Sequence, residues 1–418
     1  MAYAGGVPGL EFLDEELAAL RARGRLRSLR TREGRPGRRV WIDGRWVSNF
    51  SANDYLGLTE SEDVARAAAE AATELGSGAG ASRLIVGNHS GHEDLEAALA
   101  RWQGREAALV FNSGYQANTG VVGALAGRDD VIVSDALNHA SLIDGCRLSR
   151  SEVAVYRHGD AEHAEELLAS RGKVARRRFI VTDAVFSMDG DAAPLDALAE
   201  VARRQRAVLI VDEAHSVGVF GARGAGLGSL RGVVADVHVG TFGKAFGSFG
   251  AYVAGTAKLR EVLLSRARSF VFSTGLPPAV VAASRAALSV VEGRRGDELR
   301  DRLWERIGWL KHELAEMGVL CPGAGDSPIF PVLVGGEAQA MECCERLFER
   351  GLYVQGIRPP TVPRGTSRLR IAVMASHEAE DMEMLVNGLD ELRERGMLPD
   401  PSDVLGADEG LPGVGSGE

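Results

Sequence analysis

From about residue 92 to residue 255 the chain alternates short apolar runs with helix-length stretches, and few architectures accept that pattern. The runs are Ala107–Phe111, Val131–Ser134, Val153–Tyr156, Phe179–Thr182, Val208–Val211, Val237–Val239 and Ala251–Ala254. Short strands without a polar face are buried on both sides, which predicts a mostly parallel sheet, an α/β fold, with helices on both faces. In such sheets ligands bind beyond the carboxyl ends of the strands. The polar residues that follow each run are therefore the candidates for function.

The flanking segments read differently. Residues 11–30 predict an amphipathic helix, with Phe12, Leu13, Leu17, Leu20 and Leu26 near helical spacing. Its basic end (Arg21, Arg23, Arg25, Arg27, Arg30) suits a helix C-terminus, although one or two of these arginines remain available to an anion. Val40–Phe50 predicts a hairpin turning at Asp43-Gly44. Thr59 and Glu62 are placed for a capping box on an Ala-rich helix that runs to Leu75. The glycine-rich stretch Gly76–Arg83 follows, either a plain loop or a place where backbone approaches a ligand. Residues 277–318 predict one long helix. Strands at Pro328–Val334, Leu352–Ile357 and Leu369–Val373, with a helix between the first two and another over 377–395, make a smaller α+β lobe.

A chain of 418 residues is long for one core, which agrees with two lobes. The net charge of −10 argues against nucleic acid as a partner. No run of about 18 apolar residues is present, so no membrane span is expected. Met1–Leu13 lacks the pattern of a signal peptide. Cys146, Cys321, Cys343 and Cys344 show no framework spacing, as expected of reduced core thiols in a cytoplasmic protein.

The strand ends carry the chemistry. Lys244, in His238–Gly247, is one of only four lysines in a chain that fills its basic surface with arginine. Lysine can lose its proton and attack a carbonyl, whereas arginine stays protonated; the alternative is a lysine snorkelling at a strand end. Asp212-Glu-Ala-His215 follows another strand, but no second cluster completes a metal site, so no metal is expected. Asn112-Ser-Gly114-Tyr115 opens a helix, whose free N–H groups suit a phosphate. His139 can cap a helix or stack on a flat ring, and Ser187 offers a hydroxyl at the same edge. A phosphate cup, a ring partner, a carboxylate for a ring nitrogen and a Schiff-base lysine together match the demands of pyridoxal phosphate. The fingerprints of nicotinamide and nucleotide sites are missing.

These residues lie in motifs that resemble the α-oxoamine synthases of the aspartate-aminotransferase-like fold. The motifs are Asn53–Leu58, Gly80–Arg83 with Gly87–His92, Ser113–Asn118, Asn138–Ser141, Val185–Gly190, Asp212–His215, Thr241–Lys244 and Arg358–Pro363. The resemblance spans roughly residues 11–395. It implies a fold-type I pyridoxal-phosphate transferase with a seven-stranded sheet in its large domain. It divides the chain into a helix and hairpin segment (1–60), a large cofactor-binding domain (61–295), a small α+β domain (296–398) and a disordered tail (399–418).

The same resemblance implies roles. Lys244 joins the cofactor, Asp212 pairs with its ring nitrogen, His139 stacks on the ring and His215 reaches its phenolic oxygen. Ser187 and Thr241 contact the cofactor, Thr241 at the phosphate, with the Gly114 and Tyr115 backbone. Ser273 and Thr274 reach the neighbouring subunit's phosphate, implying a homodimer. Arg370 holds the amino-acid carboxylate, and Arg27, Asn53 and Thr361 contact substrate. The Ile357–Pro363 strip is most similar to that of members that condense L-alanine with a pimeloyl thioester of coenzyme A or acyl carrier protein. A sister synthase using glycine or serine with another acyl thioester, a lyase on the same fold and a cofactor-binding regulator stay open as alternatives. The intact lysine and its partners, and the lack of an added DNA-binding domain, speak against the last. Gly243, where some members carry serine, and the tail after residue 398 depart from the pattern.

Overall fold

The structure is a computed structural model that describes residues 9–23, 25–322, 324 and 326–405. Three N-terminal strands, β1 (Arg32–Glu33), β2 (Arg39–Ile42) and β3 (Arg45–Asn49), form an antiparallel meander. Asp43 (φ 49°) and Gly44 (φ 80°) make the tight turn with positive φ at both central positions, as the Asp-Gly pair predicts.

Seven strands follow: β4 (Ala107–Phe111), β5 (Val131–Asp135), β6 (Glu152–Tyr156), β7 (Arg178–Asp183), β8 (Val208–Asp212), β9 (Val237–Thr241) and β10 (Ala251–Gly255). They form one sheet in the order β4-β10-β9-β8-β7-β5-β6, parallel except for β10. Alternate residues feed two cores. Val133, Ile180, Leu209 and Val211 face one core. Ile132, Phe179, Val181 and Ile210 face the other. Burial on both faces is why these strands read as unbroken apolar runs.

The C-terminal part adds β11 (Ile329–Gly335), β12 (Leu352–Tyr353), β13 (Gln355–Ile357) and β14 (Ser367–Ala372). The single strand expected at Leu352–Ile357 is two. The chain changes sheets at Val354, so that β12 pairs parallel with β3 while β13 pairs with β14. The N-terminal meander is thereby completed by a strand from the other end of the chain.

Three helix expectations also need correction. The helix expected over 11–30 is Phe12–Ala22, closed by a bond from the Arg25 N–H to the Leu20 carbonyl, and none of its residues is buried. No packing extends its apolar face further. The long helix expected over 277–318 is two, Pro278–Glu292 and Arg294–Glu316, divided at Gly293, whose backbone is extended. Thr59 does not cap the next helix. Its hydroxyl is taken by Asp54 at 2.6 Å, and Ser61 stands at the cap of Glu62–Leu75. In the segment expected to be a disordered tail, Pro401–Leu405 forms a short helix with Pro401 buried, and residues 406–418 lie outside the described residues. No described helix is long and apolar enough to cross a membrane.

Candidate active site

The carboxyl ends of β5, β7, β8 and β9 deliver Asp135, Asp183, Asp212 and Thr241 to one edge of the sheet. Lys244 follows β9 in a tight loop whose Gly247, at φ 58°, sits within 2.3 Å (from a would-be Cβ) of the Thr59 nitrogen. Only glycine fits that approach, and it presses the lysine loop onto the Asn53–Leu58 segment. The Lys244 amine makes no ion pair or hydrogen bond among the described residues. Burial pulls it down from the ordinary lysine value to about 8; Arg370 acts in the same direction, while Asp212 and Asp183 oppose it. An amine in that range exists partly as the neutral nucleophile near pH 7.

Asp212 ends β8 fully inside the protein. Its Oδ1 accepts from the Ala214 N–H at 2.8 Å and its Oδ2 from the Asn118 amide at 2.6 Å. Asn118 is held by Ser141 Oγ at 2.9 Å, and its own Oδ1 is buried without a partner. His139 begins the helix Ala140–Ser149, and its Nδ1 accepts from the Ser141 N–H. Burial, with Lys244 adding, lowers its proton affinity against the pull of Asp212, so the ring is the neutral, flat kind that stacks. The His139 backbone N–H donates to Asp183 at 2.7 Å. Burial and the nearby Asp212 push that carboxyl well above the usual carboxylate range.

His215 lies in the turn after β8, its Nδ1 2.7 Å from the Tyr55 hydroxyl. Burial, Lys244 and Arg370 hold it far below the ordinary imidazole value, so it too is neutral. Arg370 enters from β14. Its Nε donates to the Ser187 carbonyl at 2.5 Å and its Nη2 to Asn53 Oδ1 at 3.0 Å. Lys244, Asp212, His139, His215, Asn53, Ser187 and Arg370 thus form one constellation.

The other expected residues fall around it. Gly114 and Tyr115 start the helix Gly114–Leu125, with Ser113 Oγ capping the Gln116 N–H. Their own N–H groups carry no hydrogen bond among the described residues, and a Cβ placed on Gly114 would meet nothing within 4 Å. Thr241 donates its hydroxyl to the Gly250 carbonyl at 2.9 Å. Ser273 and Thr274 share no hydrogen bond with the constellation. Thr274 accepts from Asn112, just ahead of the Gly114 helix, and pairs with Ser82 of the glycine-rich loop. Arg27 and Thr361 lie together on a groove of about 330 Å³ with Arg30, Phe348 and Arg358.

Pyridoxal phosphate fits these residues. Open space over unpaired first-turn N–H groups receives a phosphate. A buried carboxylate suits a protonated ring nitrogen, a neutral His139 a ring face, and the unpaired Lys244 amine an aldehyde. Among the described residues no group of three or more His, Cys, Asp or Glu side chains is placed to hold a metal. Sequence reasoning assigned no role to Tyr55 or Asp183. Asn118 lies in the Ser113–Asn118 motif, and its place one helical turn after Gly114 is the available signal for a side chain facing Asp212.

Known proteins resemble this chain over most of its length. The family described as aminotransferase class I and II matches residues 46–389. The 8-amino-7-oxononanoate synthase of Anaeromyxobacter dehalogenans is 52% identical over 90% of this chain and 93% of its own. The serine palmitoyltransferase of Sphingomonas wittichii superposes with a TM-score of 0.86 at 34% identity, covering 95% of this chain and 100% of that one. A structure of SPT with PLP gives a TM-score of 0.87 at 31% identity, over 94% of this chain and 100% of that one.

Proposed function

The chain belongs to the class I and II aminotransferase family and, within it, to the α-oxoamine synthases; from that premise we propose how its residues join L-alanine to a pimeloyl thioester. The products are 8-amino-7-oxononanoate, CO2 and the free carrier thiol, the condensation that serves biotin synthesis. The observation that carries the chemistry is Lys244, a buried amine lowered to about 8 beside Asp212, with no hydrogen-bond or ion-pair partner among the described residues. The choice of substrates follows the 52% identical synthase.

Bound pyridoxal phosphate supplies an aldehyde that takes up the amino acid's nitrogen and a protonated ring that accepts the electron pair left at Cα. Arg370 binds the L-alanine carboxylate through paired charged hydrogen bonds and so sets which Cα bond faces the ring. Lys244, with its amine lowered to about 8, would act as the neutral base that takes the Cα proton and later returns one. Asp212 keeps the ring nitrogen protonated, and Asn118 and the Ala214 N–H hold that carboxylate in place. His139 would cover the ring, and His215, held by Tyr55, would reach the phenolic oxygen. The Gly114 and Tyr115 N–H groups would seat the phosphate together with Thr241, and Ser187 would contact the cofactor. The groove at Arg27 and Thr361 receives the acyl carrier, either coenzyme A or acyl carrier protein.

A homodimer acting in the cytoplasm completes the reading, with domain divisions near residues 60, 295 and 398. Leu84, Ile85, Val86 and Phe272 expose 51–77% of their surface around the Ser82–Thr274 bridge, an apolar patch suited to a second copy. The four cysteines are free, as reduced thiols are. The test is thiol release by the cofactor-loaded protein with L-alanine, glycine or L-serine against pimeloyl, acetyl, succinyl and palmitoyl coenzyme A. Release with L-alanine and the pimeloyl ester alone is expected. Release only with another pair moves the chain to a sister activity, such as that of the serine palmitoyltransferase it resembles.

A further inference from the structure

His158 lies just beyond β6, at the edge of the sheet away from Lys244, and has no part in the chemistry described above. Its ring is held at both nitrogens. Nδ1 lies 2.9 Å from Asp135 Oδ1 and Nε2 lies 2.8 Å from Asp191 Oδ2. Two carboxylates can both accept only if both ring nitrogens donate, which is the imidazolium form. Burial opposes that charge, but the hydrogen bonds and charges of Asp135 and Asp191 outweigh it and raise the ring to about 10. The ring also stands edge-on to Phe186, with centroids 4.4 Å apart.

Asp135 is fixed at the end of β5, its carboxylate also accepting from the Leu137 and Gly159 N–H groups. Asp191 and Phe186 belong to a tight hairpin over residues 184–193. It is closed by Phe186 N–H to the Asp191 carbonyl at 2.9 Å and Ala193 N–H to the Ala184 carbonyl at 3.0 Å. The hairpin tip touches the small lobe. The Ser187 carbonyl takes the Arg370 Nε–H, Asp189 pairs with Arg368, and Gly190 lies so close to the Ile329 carbonyl that a Cβ would sit 2.2 Å from it. His158 therefore grips the base of a lever whose tip aims Arg370.

We propose that His158 is a positioning residue for the amino-acid carboxylate site, fixing the 184–193 hairpin through Asp135 and Asp191 so that Ser187 orients Arg370. This rests on the role given to Arg370 above. Without the cation, Asp135 and Asp191 repel. Asp191, whose Oδ1 already lacks a hydrogen-bond partner, leaves the sheet edge and takes the hairpin with it.

The test is His158→Gln in the cofactor-loaded protein. Amino-acid affinity is read from the change in cofactor absorbance on titrating L-alanine with no thioester present, and steady-state kinetics follow. Affinity for L-alanine should weaken about tenfold and its KM rise in step, while the pimeloyl-CoA KM stays within about twofold, the signature of one misplaced binding group. The absorbance before titration should match the parent protein. Unchanged L-alanine affinity overturns the proposal, and so does equal weakening of both substrates. If His158→Gln does not fold, Asp191→Asn, which keeps an acceptor but loses the charge, decides by the same titration: weaker L-alanine binding supports the proposal and unchanged binding overturns it. The parent protein titrated alongside separates the two readings. If glycine or L-serine perturbs its absorbance and L-alanine does not, the substrate assignment fails and that amino acid becomes the probe for His158.

Discussion

Asp212→Asn should leave the protein folded and nearly stop proton removal from L-alanine. In the parent protein Oδ1 serves the Ala214 N–H and Oδ2 the Asn118 amide. The variant's carbonyl can stay on Ala214, which turns its new NH2 toward the Asn118 NH2. A half-turn of the Asn118 amide relieves that clash. Its Oδ1 would then accept from the new amide, while its NH2 takes the buried place where Oδ1 has no partner in the parent. The fold loses one charged hydrogen bond, regains a neutral one and leaves that NH2 unpaired, a cost of about 1–3 kcal/mol. In a chain of this size that lowers Tm by no more than about 4 °C. The chemical cost is larger. A unit charge about 4 Å from a protonated ring, at an effective dielectric of about 20, is worth about 4 kcal/mol. Spent on the barrier, that is roughly a thousandfold in rate. The assay is deuterium entry at Cα of L-alanine in D2O, followed by NMR without thioester, with cofactor occupancy checked by absorbance. Exchange within about tenfold of the parent at full occupancy would refute the role given to Asp212.

Lys244→Ala should release no thiol above background while retaining cofactor that dialysis can remove, as absorbance before and after dialysis will show. Arg370→Gln should raise the L-alanine KM by roughly 30- to 100-fold, the worth of a lost charged pair at about 2–3 kcal/mol, with little change for pimeloyl-CoA in the same assay. Stability should fall as pH drops from 6.5 toward 4. Burial pulls His377 from 6.5 to about 4, so the unfolded chain binds that proton earlier than the folded one. One such group tilts the unfolding free energy by up to about 1.4 kcal/mol per pH unit within that window. Urea titrations at pH 7 and pH 5 should show the loss, with a shallower slope in His377→Gln. His92 and His238, also buried and lowered, keep the slope from vanishing.

The seven strands were legible because burial on both faces writes itself as unbroken Val, Ile and Leu. Asp212 was legible because it directly follows such a run, and Lys244 and His139 because they lie in the loops just beyond one. What the sequence hid depends on partners distant along the chain. Leu352–Ile357 has one apolar pattern but two neighbours, β3 and β14, and pattern alone does not say where a strand changes sheets. Thr59 looked like a cap until Asp54, five residues earlier, took its hydroxyl. Tyr55 and His215 meet across 160 residues, and His158 joins Asp135 at the end of β5 to Asp191 of the 184–193 hairpin.

The parallel pairing of β3 with β12 bears on how the chain is made. The Ser48 N–H waits for the Gly351 carbonyl and the Phe50 N–H for that of Tyr353. Those partners leave the ribosome roughly 300 residues later, a delay of roughly 15–60 s at ordinary elongation rates. Through that interval the N-terminal meander carries an open strand edge, whereas the seven-stranded sheet has all its strands once residue 255 has emerged. Closing a loop of that length is the slow kind of step in folding. The last strand of that small sheet therefore acts as a latch on translation: a nascent chain stopped short of residue 352 exposes a strand edge that other chains can pair with.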